Sequence, residues 1–218
     1  MSLANLQVLQ DSPTDPNSAF KLKRFAILKW LEGNVPTPYF DTKGIITIGI
    51  GFNIDTITGN RNRVMGGDGM NLSLAQQAAI TAAWNSPVMK QIRALPQATP
   101  TQLWAKNAEL CAYLDSVLGG GLSFSMTDPQ IQSVFNVLVL EHQNKISSLV
   151  GTPSIEQIVL TSLSYNGMVG PGLTAAINMT DPSEARAEAW FQIRYDHNEL
   201  KGSASHYFWS QHATSPTH

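Results

Sequence analysis

One cysteine, Cys111, is all this 218-residue chain has, so an internal disulfide framework and a cysteine-built zinc site are both excluded. Charge is scarce too: 14 % of residues are Asp, Glu, Lys or Arg, against roughly 25 % in an ordinary soluble domain. The 14 basic and 16 acidic residues nearly cancel, leaving a net charge of −2. No Lys/Arg cluster offers a track for phosphates, which disfavours nucleic acid as a partner. No apolar run approaches the roughly 20 residues of a membrane span. The first 18 residues lack the basic and apolar regions of a signal peptide, so synthesis in the cytoplasm is expected, with another route to any target beyond it. What is present is a hydrophobic content of 43 %, enough to exclude disorder and to build a substantial core.

Residues 1–16 read as a polar tail or linker. The spacing predicts a helix over 18–33, with Phe20, Ile27 and Leu31 on one face and Gly33 as its C-cap. Pro36 and Pro38 cannot continue it. The β-branched run Ile45–Ile50, after a turn at Gly44, predicts a hairpin or three-stranded sheet over about 39–54. Alternation sets Ile46, Ile48 and Ile50 on one face. Thr47 and Gly49 lie on the other, nearly bare and suited to close approach by another molecule or element. Residues 55–72 read as a Gly/Asn/Asp-rich loop. Capping boxes at Ser73…Gln76, Thr99…Gln102, Thr127…Gln130 and Asp181…Glu184 predict helices near 74–85, 100–118, 128–148 and 182–199. Shorter helices are expected over 154–166 and 172–178. The fold class is α+β, mainly α, with a peripheral tail over 203–218 from which Tyr207-Phe208-Trp209 could dock.

Hydrolysis of a glycosidic bond needs one carboxylic acid to protonate the leaving oxygen and a second carboxylate to activate water or attack. Among the acids, Glu32 and Asp41 are the best-placed pair. Glu32 ends the first helix, where the negative pole of the macrodipole disfavours ionisation. Trp30 and Leu31 would add to this if they enclosed it. Asp41 stands just before the turn into the β run, and Thr47 offers a hydroxyl that could hold a water beside it. Each residue alone has an ordinary reading as well: a solvated acid, a turn-forming Asp, a strand Thr.

The string Leu31-Glu32-Gly33, Tyr39-Phe40-Asp41-Thr42-Lys43-Gly44 and Thr47-Ile48-Gly49-Ile50-Gly51 resembles the active-site region of the phage-type lysozymes, glycoside hydrolase family 24. That family has a Glu-Gly at a helix end, an Asp nine residues on, and a Thr six further within Thr-x-Gly-x-Gly. A looser similarity covers Gln157–Gly167, like the family's central helix, then Gly172-Leu173 and Arg194-Tyr195. The resemblance implies a two-lobed lysozyme-like catalytic domain over 17–202, with its helical lobe over about 73–200. It implies an inverting muramidase acting on the β-1,4 link between N-acetylmuramic acid and N-acetylglucosamine. Glu32 would be the general acid, and Asp41 and Thr47 would position water. Tyr165, Asn166 and Gly51 would meet substrate, with Arg194 and Tyr39 in support. No cofactor or metal is implied. A monomer is expected, acting on peptidoglycan strands at the wall or periplasm as a phage endolysin or a delivered effector. An immunity protein or secretion carrier stays open as a partner of the middle region. Two departures stand out. Phe52 occupies the place where the family usually has His, and the slight acidity removes the long-range attraction of basic wall lysozymes. A non-catalytic peptidoglycan- or chitin-binding module, a lytic transglycosylase and a chitinase remain as alternatives.

Other residues read blandly. Glu141-His142 lacks the spacing of a zinc protease helix and reads as a surface pair. His206 and His212 read as solvated. Asn53, Asp55 and Gly59 resemble a calcium loop only faintly. Cys111 reads as a small core residue. Ile131, Val134, Phe135, Leu138 and Leu140 read as the core stripe of their helix.

Overall fold

A computed structural model describes residues 19–149, 155–167 and 169–192. Helix α1 (Ala19–Glu32) leads into an antiparallel sheet of order β1-β2-β3, formed by Val35–Phe40, Ile46–Gly49 and Phe52–Asn53. Then come α2 (Thr58–Met65), α3 (Leu74–Trp84), α4 (Pro87–Ala94), α5 (Pro100–Leu118) and α6 (Asp128–Ile146). Helices α7 (Ile155–Tyr165), α8 (Pro171–Ile177) and α9 (Pro182–Phe191) follow. The fold is mainly helical with one small sheet. Residues 21–138 make one compact unit holding the sheet and α2–α5; a second takes in Phe20 and the described residues from Val139 onward. No helix among the described residues is long and apolar enough to cross a membrane.

Strand β2 is central, and all four of its residues are buried. Ile46, Ile48 and Ile50 are fully buried, as the alternation predicts. The opposite face is not open. A Cβ at Gly49 would stand 2.7 Å from the Phe52 ring and 3.4 Å from Ile131 on α6, so the chain itself fills that side. Strand β1 is an edge strand, which is why it tolerates Pro36 and Pro38. Its outer edge is capped: Met126 N–H donates to the Pro36 carbonyl at 2.9 Å, and Phe40 N–H donates to Asn107 Oδ1 at 2.9 Å. The Cys111 thiol donates to the Pro38 carbonyl at 3.4 Å. An edge occupied in this way cannot recruit another strand.

The buried stripe of α1 is Phe20, Arg24 and Leu28, not Phe20, Ile27 and Leu31; Leu31 is 52 % exposed. An Arg in mid-row hides this i, i+4, i+8 pattern from a hydrophobicity reading. Its guanidinium lies over the Phe135 ring at 5.7 Å, and that contact fits it for the position. Ser73 and Thr99 form complete capping boxes with Gln76 and Gln102 at the starts of α3 and α5. On α6, Ile131, Val134 and Phe135 are buried, whereas Leu140 is 45 % exposed and Val139 takes the inward position.

The expected loop at 55–72 holds a helix, α2. Its sequence is poor in helix formers, so tertiary contacts must stabilise it. Arg61 Nη1 reaches back to the Ile54 and Asp55 carbonyls, the guanidinium stacks on Trp84 at 4.9 Å, and Val64 and Met65 are buried. Helix α4 is a further element beyond those expected. In the second unit, Ile146, Leu160, Leu173 and Ile177 form a core joined by Leu149, Leu163, Val169 and Ala189.

Candidate active site

Glu32, Asp41 and Thr47 all lie in the 21–138 unit. Glu32 is the last residue of α1 and is half-buried. The apolar enclosure expected from its neighbours is missing, because Trp30 is 82 % exposed and Leu31 points outward as well. The buried row of α1, Phe20, Arg24 and Leu28, includes neither of them.

Asp41 organises the β1–β2 turn. Its Oδ1 accepts from Lys43 N–H and Ile45 N–H, each at 2.8 Å. Its own N–H donates to the Ile45 carbonyl at 2.9 Å, and its carbonyl accepts from Gly44 N–H at 3.0 Å. Gly44 supplies the left-handed φ of +77° that closes the turn. The turn-forming reading of Asp41 is therefore realised on Oδ1, which leaves Oδ2 outside these bonds. Thr47 pairs with Tyr39 across the sheet, is 6 % exposed, and donates its hydroxyl to the Tyr39 carbonyl at 3.4 Å. Gly51, at φ +87°, makes the β2–β3 turn.

Tyr165 and Asn166, at the end of α7, belong to the other unit. Tyr165 stands edge-on to His142 at 5.1 Å, and Asn166 Nδ2 donates to the Ser162 carbonyl at 3.1 Å. Arg194 lies outside the described residues, as do His206, His212 and the Tyr207-Phe208-Trp209 segment. His142 is not a surface partner of Glu141. It is half-buried, with Nδ1 3.0 Å from the Ser164 carbonyl, and burial lowers its pKa most, followed by the charge of Lys145. Glu141 instead receives Lys145 Nζ at 2.8 Å in water.

One dense polar cluster among the described residues was not legible as a site. Asp55, read as part of a faint calcium loop, receives the Arg93 guanidinium as a fork at 2.5 and 2.6 Å. It also accepts from Trp84 Nε1 at 3.2 Å and from Ile46 N–H at 3.4 Å. Burial alone would push its carboxyl up. The Arg93 hydrogen bonds and charge, with those N–H groups, more than reverse this and hold it below the ordinary carboxylate range. Its oxygens are thus committed to protein donors, and among the described residues no group of His, Cys, Asp and Glu could hold a metal ion. The ring of charge and indole joins the sheet to α3 and α4, and nothing in the local spacing of Asp55 points to Arg93.

Among the described residues, surface depressions lie elsewhere too. One between α4 and α5 is lined by Val88, Ile92, Leu95, Glu109 and Tyr113; another, between α2 and α3, by Met65, Gln77 and Thr81. Neither is lined by Glu32, Asp41 or Thr47. Comparison with known protein families, with curated proteins and with solved structures finds no match to this chain.

Proposed function

We propose that the chain is a muramidase with a two-lobed lysozyme-like fold, cleaving the β-1,4 bond between N-acetylmuramic acid and N-acetylglucosamine. The observation that carries this is an order of elements: an acid closing a helix, then an Asp in a tight turn, then a Thr on the central strand, paired with Tyr39 across the sheet. Glu32 delivers a proton to the leaving glycosidic oxygen. Asp41 Oδ2, free of the turn bonds, orients water for an inverting attack, with Thr47 beside it. Gly51, in the same unit, meets the glycan strand. The reaction serves host-cell lysis or an antibacterial effector carried by another machine.

A second reading has a specific observation behind it. Asp41 commits one oxygen to the turn, and Thr47 is nearly buried with its hydroxyl on Tyr39. Lytic transglycosylation needs no water-activating partner, so Glu32 could act alone there.

The test is digestion of purified peptidoglycan, with chitin in parallel, followed by mass analysis of the released sugars. New reducing ends identify hydrolysis, and anhydro ends identify the transglycosylase. Glu32→Gln should lower the rate by about 10²–10⁴-fold, the usual share of general acid catalysis. Identical product profiles from wild type and Glu32→Gln would remove Glu32 from the mechanism. Binding without any cleavage over long incubation would make the chain a wall-binding module instead.

A further inference from the structure

Lys106 on α5 is a buried ammonium, 4 % exposed. Its Nζ donates to the Arg93 carbonyl at 2.8 Å and to Gln97 Oε1 at 2.9 Å, neither of them a carboxylate. It also stands 4.3 Å from the centroid of the Phe40 ring. Burial, and then the charge of Arg93, lower its pKa from the ordinary lysine value. A Met or Leu would fill this space without the cost of desolvating a cation, so the contribution of Lys106 lies in its three contacts.

All three lead to the same place. Phe40 is the residue before Asp41, and its N–H is held by Asn107 from the next position of α5. Gln97 packs on the turn itself: a Cβ at Gly44 would meet its Nε2 at 3.4 Å. Arg93 grips Asp55, which accepts from Ile46 N–H just past the turn. Phe40, Gly44 and Ile46 bracket the segment in which Asp41 Oδ1 collects its two amides. One ammonium thus touches three of the residues that support that segment: Phe40, Gln97 and, through its carbonyl, Arg93.

We propose that Lys106 is a positioning residue that fixes the Asp41 turn through Phe40, Gln97 and Arg93. The α4–α5 segment is then the buttress of the candidate site, not an appendage to it. The kinetic consequence rests on the muramidase reading; the structural one does not.

The experiment compares Lys106→Met, Lys106→Arg and Gln97→Ala in the full chain. It reads amide exchange at Asp41 and Ile45, with α6 amides as internal reference, and kcat and KM on soluble peptidoglycan fragments. In Lys106→Met the two turn amides should exchange about tenfold faster, the loss of one charge-assisted bond, while α6 keeps its rates. The kcat should fall by a similar factor at unchanged KM, and Lys106→Arg should restore both. Gln97→Ala, at a half-exposed position, should move the same amides by less, and it carries the test if Lys106→Met does not fold. Unchanged turn amides in the folded variants overturn the proposal. So does faster exchange spread equally over α6, because that marks general destabilisation. A wild type that cleaves no peptidoglycan ends the muramidase reading, while the exchange rates still decide the role of Lys106.

Discussion

Replacing Asp55 by Asn removes one charge and leaves the shape. The carboxylate is 11 % exposed and its partner Arg93 31 %. Breaking a fully buried pair from one side costs about 3–5 kcal/mol, because the remaining charge is stranded. Arg93 is almost a third open to water and recovers part of its hydration, and the amide oxygen can still accept from Trp84 Nε1. A loss of about 2–3 kcal/mol at pH 7 is therefore expected. The sign with pH follows from the direction of the shift. The folded carboxyl is held below its ordinary value, so its stabilisation is fully present above the ordinary carboxylate range. It is lost as pH falls through the depressed folded value. Urea unfolding of wild type and Asp55→Asn, repeated from pH 7 downward, should show a constant gap through mild acid. The gap should close only once pH drops below the ordinary carboxylate range. A gap under about 0.5 kcal/mol at pH 7 would refute the reasoning, since that is the value of an exposed pair. A gap that widens in acid would refute it as well.

Gly49→Ala should destabilise by about 2–4 kcal/mol in thermal or urea unfolding. The left-handed backbone at φ +68° costs roughly 1–2 kcal/mol for any other residue, and the methyl would press into the Phe52 ring. Ser73→Ala should cost about 1 kcal/mol in urea unfolding by loss of the α3 cap and leave amide exchange at Asp41 and Ile45 untouched; the two measurements together check that the effect is local. The Cys111 thiol, pushed up first by burial and then by Asp115, should react with a disulfide reagent far more slowly in the native protein than in urea. Equal rates would show that the thiol is not held against Pro38.

Helix starts were the most legible part of the fold, for a local reason. Ser73…Gln76 and Thr99…Gln102 satisfy free amides within four residues, so the signal and its cause share one stretch of chain. Helix α4 carries a signal of the same kind, Ser86-Pro87 with Ser86 Oγ accepting from Met89 N–H, and it could have been read. Helix α2 could not. Thr58–Arg63 is poor helix material, and its order comes from the reach of Arg61 to Ile54 and Asp55 and its stacking on Trp84. The bare face of β2 shows the same division. Alternation groups Thr47 with Gly49, while the Ile131 that packs over Gly49 lies about eighty residues on. In the candidate site, Glu32, Asp41 and Thr47 were chosen by type and spacing. Lys106, Gln97, Arg93 and Asn107 escaped because a buttress is recognised only by what it touches.

The bonds from Lys43 and Ile45 to Asp41 Oδ1 have a consequence for how position 41 can vary. A short side chain with an oxygen at that point closes this turn; Asn keeps the acceptor at the same reach and discards the charge, whereas a Ser or Thr hydroxyl would close the turn more weakly. Ala would loosen the hairpin and silence the carboxylate together, and its phenotype would be uninterpretable. Asp41→Asn separates the two duties. On the muramidase reading, it is also a change by which a chain of this design could give up turnover and keep its shape, leaving a glycan-binding descendant on an intact turn.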